Sequence, residues 1–112
     1  MAPPKIRMQS ALAYQVWPAL ERIRHQRPNL QLSIEPRDRP KGDIDRISFQ
    51  IRGYPKYQIT ADNDTKSLRV DIVQQIPGRR LIFLGDPYCV IPVEELTHDR
   101  IDILVNASIA SG

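Results

Sequence analysis

The sequence predicts an α+β fold: an N-terminal amphipathic helix packed on an antiparallel meander of four to five strands, followed by a C-terminal helix. Three observations predict it. Met8, Leu12, Val16, Leu20 and Ile23 recur at spacings of four, four, four and three, which places them on one stripe of a helix. From Leu30 the hydrophobic period changes to two and holds through four runs, the signature of half-buried strands. The intervals between those runs are too short for the crossover that parallel pairing requires.

Pro3-Pro4 marks the start of the first helix, and Pro28 sets its stop at Arg27 by disfavouring the helical conformation there. Pro18 lies inside. An interior proline removes one backbone hydrogen bond and clashes with the carbonyl four residues back, at about 3 kcal/mol. The expectation is a kink between Tyr14 and Pro18, or else two short helices; the unbroken phase of the apolar stripe favours the kink.

The first strand carries Leu30, Leu32 and Ile34 on one face and ends at Pro36. Residues 36–43, PRDRPKGD, form a solvated connection. Ile47, Phe49 and Ile51 make the second strand, and Gly53-Tyr54-Pro55 a turn. Tyr57, Ile59 and Ala61 make the third, followed by Asp62-Asn63-Asp64, residue types that tolerate left-handed geometry. Leu68, Val70 and Ile72 follow, then a turn at Pro77-Gly78, a largely apolar strand over 80–84 and a break at Gly85-Asp86-Pro87.

Two templates compete at the C-terminus. Ile101, Ile103, Val105, Ala107 and Ile109 alternate as a strand would. Pro92 with Glu94 and Glu95 reads as a helical first turn, its carboxylates near the positive end of the dipole. The start signal favours a helix from Pro92 with Val93, Thr97, Ile101, Leu104 and Ser108 on one face; a short helix and a closing strand is the alternative. The order helix, meander, helix is shared with double-stranded RNA-binding domains. Those place a lysine-rich helix start on the phosphates, where this chain reads PVEELTHDR, and the family is not assigned.

At 112 residues, 41% hydrophobic and 26% charged, the chain has the composition of one globular domain spanning 1–112. Cys89 is the only cysteine, which rules out an internal disulfide or a cysteine-based zinc site and points to a reducing cytoplasm. The N-terminus has no unbroken apolar stretch of a signal peptide, and no apolar run approaches the ~20 residues of a membrane span.

The chemistry-bearing residues do not assemble into an enzyme. His25 and His98 are the two near-neutral proton carriers; His25, in the last turn of a helix, has a ready role as a counter-charge to the dipole. His98-Asp99 is too few ligands for a metal. Asp62-x-Asp64 opens like a calcium loop, but Ser67 stands where glycine is needed and Val73 where glutamate is needed. The glycines are dispersed, the serines form no nucleophile elbow, and Cys89 in YCVIP is a small buried hydrophobe. No catalytic group, metal or cofactor is expected.

Charge is the remaining signal. Residues 1–60 carry eleven Lys/Arg against five Asp/Glu (+6), and residues 61–112 five against eight (−3), which sum to +3. Lys5, Arg7, Arg22, Arg24 and Arg27 fall on the first helix; Arg37, Arg39 and Lys41 fall in the following loop. Guanidinium forks suit phosphate and carboxylate alike. The candidate binding residues are therefore Arg22, Arg24, Arg27, Arg37, Arg39 and Lys41, with Tyr54 as the aromatic expected to be exposed. Tyr57 belongs in the core by its period, and Trp17, one step from the stripe, is expected half-buried.

These residues point to a non-enzymatic accessory or regulatory protein for an anionic macromolecule, a nucleic acid or nucleoprotein, with no membrane contact. The alternative is a protein-only adaptor, chaperone or inhibitor, self-association as a homodimer included. Against both stands an ordinary solvated surface, because Glu21, Glu35, Asp38 and Asp43 dilute the patch.

Overall fold

A computed structural model describes residues 7–75 and 90–109, and in it the five strands pair in chain order as one antiparallel sheet. The strands are β1 (Ser33–Glu35), β2 (Arg46–Gln50), β3 (Lys56–Asp62), β4 (Ser67–Gln74) and β5 (Val90–Pro92). Helical segments precede and follow them: α1 (Met8–Ala11), a π-helical turn (Leu12–Val16), α2 (Trp17–Gln26) and, after β5, α3 (His98–Ile109). This is the expected α+β arrangement.

The helical stripe forms as its spacing requires, with Met8, Leu12, Val16, Leu20 and Ile23 all buried. The proline is accommodated by a π-helical turn over Leu12–Val16, within the stretch where the irregularity is expected. Pro18 has no N–H to offer Tyr14, and the chain widens just before it: the Trp17 N–H bonds to the Leu12 carbonyl, five residues back. Backbone dihedrals at Ala11, Val16 and Trp17 stay right-handed helical, so the three segments run on continuously. The helix starts after Arg7, which is extended, rather than at the prolines, which lie outside the described residues. Its stop falls at Arg27 as expected.

One sheet face is apolar. Ile47, Phe49, Tyr57, Ile59, Leu68, Val70 and Ile91 share a single core with the helical stripe and with Ile101, Leu104 and Val105 of α3. The register places Phe49 directly opposite Tyr57, and their rings stack at 5.5 Å between centroids. Gly53, at φ +86°, takes the left-handed position of the turn closed by Tyr54 N–H on the Ile51 carbonyl. In the β3–β4 turn, Asp62 Oδ1 accepts from the N–H groups of Asp64 and Thr65 at 3.0 and 3.3 Å, and the left-handed residue is Lys66, not one of the Asp-Asn-Asp set.

Four expectations need correction. The first strand is only three residues, because Pro28–Leu30 winds into a 3-10 turn and Gln31 turns left-handed at φ 50°. Pro92 ends β5 instead of opening a helix; Val93–Glu95 is a 3-10 turn. The last helix begins at His98, behind Thr97, whose side-chain oxygen accepts the Arg100 N–H at 3.2 Å. Trp17 is buried, 6% exposed, and Tyr54 is partly buried against the core, while among the described residues Tyr14 is the exposed aromatic at 53%. The expected strand over 80–84, its flanking turns and Cys89 lie outside the described residues.

Residues 101–109 are helical, and the helix template for that face holds: Ile101, Leu104 and Ser108 are buried, whereas Ile103 is 45% exposed. Among the described residues, no helix is long and apolar enough to cross a membrane.

Candidate functional site

The loop of residues 36–45 is fastened to the helices at both ends. At its start, the Trp17 indole N–H donates to the Pro36 carbonyl at 2.8 Å. At its far end Asp43 accepts from the Ser10 hydroxyl at 2.6 Å and pairs with Arg7 at 3.4 Å, while the Ile44 N–H reaches the Gln9 carbonyl at 3.3 Å. Between these fastenings the chain arches over solvent with Arg37, Arg39 and Lys41 at alternating positions, all exposed. None of the three makes a salt bridge among the described residues. Asp43, the acid nearest in sequence to Lys41, is committed to the Arg7 and Ser10 side.

The helical cations are used differently. Arg24 Nη2 donates to Glu21 Oε1, and His25 Nε2 lies 2.9 Å from the same oxygen. The Arg24 hydrogen bond, with its charge and that of His25 adding, holds Glu21 below the usual carboxylate range despite partial burial acting the other way. Arg24 and His25 also sit in the last turn of α2, where positive charge complements the dipole. Arg27 Nη1 donates to Asn106 Oδ1 at 2.6 Å and ties the end of α2 to α3.

The seven residues expected to bind do not form one patch. Arg22 and Arg24, two apart on a helix, project about 200° from one another around its axis. Arg24 and Arg37 border the same feature: both line a groove of about 670 Å³ whose other walls are Leu32, Ser33, Ile34, Glu35 and Asp38. Arg39 and Lys41 continue from it along the arch. Tyr54 sits in the turn that follows β2, at the opposite end of that strand from the arch, and its carbonyl accepts from the Gln50 side chain at 2.9 Å.

Four features escaped the sequence reading. Trp17 carries a polar function, fastening the arch, that its apolar neighbours conceal. Lys56, on the outer sheet face, pairs with Glu35 at 2.9 Å and so removes one of the acids that dilute the basic surface. Thr97 ahead of the Ile101 run is an N-cap signal of the ordinary kind, outweighed in the sequence by Pro92. Arg27 to Asn106 bridges 79 positions, and no local pattern signals such a contact. Among the described residues, no group of three or more His, Cys, Asp or Glu could hold a metal ion.

No family model matches this chain, and no curated protein or solved structure matches it either.

Proposed function

We propose that this chain is a non-enzymatic, cytoplasmic accessory protein whose basic arch holds the phosphates of a nucleic acid or nucleoprotein. One observation carries the reading: Arg37, Arg39 and Lys41 are exposed, spaced along a loop fastened at both ends, and without a salt bridge among the described residues. Fastening matters because a loop already held in place loses less conformational freedom on binding. Arg22 extends the basic surface on another flank of α2, and Arg24 borders it from the groove.

A salt titration tests the proposal. Binding of a duplex or single strand should weaken linearly in log salt, with a slope of about −3 on a duplex if the three arch cations each neutralise a phosphate. Arg37→Glu with Arg39→Glu should abolish binding while leaving thermal stability near that of the parent chain. Undiminished binding by that double variant would make the arch an ordinary solvated loop.

The second reading, a protein adaptor, chaperone or inhibitor that touches no nucleic acid, is favoured by the groove beside the arch. Its lining includes Leu32 and Ile34, apolar residues that offer a phosphate no charge. Such an interface would respond to salt far less.

A further inference from the structure

We infer that the outer edge of β1 accepts an extended acidic segment of a partner protein as an added strand. This goes beyond the reading of the arch and stands without it, although Arg37 borders both surfaces. β1 lies at the end of the sheet and pairs only with β2; among the described residues nothing pairs with its other edge. The groove runs along that edge. Leu32, Ser33, Ile34 and Glu35 are consecutive, and consecutive strand side chains point to opposite sheet faces, so four in a row line one groove only where it follows the backbone itself.

An open backbone edge offers N–H and C=O groups to another extended chain. Pro36 has no N–H to give, which confines pairing to residues 32–35. Charge selects the occupant. Of the groove's two acids, Glu35 is engaged by Lys56 at 2.9 Å, leaving Asp38 against Arg24 and Arg37. Arg24 commits Nη2 to Glu21 and keeps the other donors of its guanidinium. A second copy of this chain would bring the same arginines to the shared edge, where like charges repel. A nucleic acid would satisfy the arginines and leave the strand backbone unpaired.

The probe is a blocked ten-residue peptide of alternating valine and glutamate, compared with the same peptide N-methylated at every second residue and with a 20-base-pair DNA duplex. Methylation on nitrogen removes the peptide's edge donors and keeps its charge. The unmodified peptide should slow amide exchange at residues 32–35, and the methylated form should bind at least about tenfold more weakly. Arg24→Ala with Arg37→Ala should weaken the unmodified peptide by a similar factor, with an unchanged melting temperature certifying the fold.

Equal binding of both peptides, or binding without protection at 32–35, would overturn strand addition. So would slowed exchange at those amides in concentrated protein alone, which would make a second copy the occupant. Duplex binding without peptide binding would end this inference and leave the arch reading in place. Peptide binding without duplex binding would do the reverse.

Discussion

The cations of α2 and those of the arch are the same residue types a dozen positions apart, yet the fold treats them differently. Arg24 is bound to Glu21, beside His25, and Arg27 is spent across the helix pair on Asn106. Arg37, Arg39 and Lys41 make no such pairs among the described residues. Local geometry accounts for the contrast. A helix places residues three and four apart side by side, so Glu21 meets Arg24 and His25 by construction. A loop crossing solvent between two fastenings has no such built-in neighbours. A run of like charges in a sequence therefore counts cations without saying which are available, and availability is decided by the neighbours each position meets: Arg22, on α2 as well, makes no salt bridge among the described residues.

The largest effect that would break this contrast comes from Trp17, which underlies both regions. Trp17→Ala should cost about 3–5 kcal/mol, because it empties a buried aromatic site and releases the arch at Pro36. Trp17→Phe keeps most of the apolar area and loses only the indole donor, for about 1 kcal/mol. Thermal or denaturant melts measure both. If the arch is held through the indole, Trp17→Phe should also raise amide exchange over residues 37–42. Unchanged exchange there would assign the fastening to Asp43 and Ile44 alone. Val70→Asp serves as a control of comparable size: it puts an unpaired charge on the buried face of β4 and should prevent folding, and a soluble, folded variant would contradict the strand register.

The fold was legible where one periodicity ran uncontested. The stripe from Met8 to Ile23 and the alternation in β2, β3 and β4 each carry several buried residues, so a single exception cannot reverse them. Legibility failed where two local signals competed. At the C-terminus Pro92 and the glutamates outbid Thr97, although the first serve a strand end and a 3-10 turn. Near Gln31 a left-handed residue shortened β1 with no glycine to announce it. The candidate site was legible only in composition. Trp17 to Pro36, Arg27 to Asn106 and Arg7 to Asp43 join positions 19, 79 and 36 apart, separations at which no local pattern exists.

A smaller effect sharpens the comparison directly. Arg27→Ala should lower stability by about 1 kcal/mol, the worth of a hydrogen bond to a charged donor at a partly exposed site. Arg37→Ala and Arg39→Ala should stay within about 0.5 kcal/mol of the parent. In a binding assay the order reverses: the arch variants lose affinity and Arg27→Ala keeps it. Equal losses of affinity from Arg27→Ala and Arg39→Ala would erase the distinction between committed and available cations.

The smallest effect concerns acid. Arg24 above all, then His25, hold the Glu21 carboxyl below its usual range, so folding is favoured by its ionised form. A depressed carboxylate contributes stability that is fully present above its unfolded value and is lost as pH falls through the lower folded value. The ion pairs are partly exposed, and Glu21 Oε2 is buried without a hydrogen bond, a cost that offsets part of the gain. Glu21→Gln should therefore change stability little at neutral pH and flatten the acid limb of a stability–pH curve. It should leave arch binding intact while freeing Arg24. If instead the variant binds the acidic peptide more tightly, the commitment of Arg24 to Glu21 is what holds the groove's charge in check. If peptide affinity does not move, the donors Arg24 retains already suffice, and the contrast between helix and arch is one of degree set by a single guanidinium.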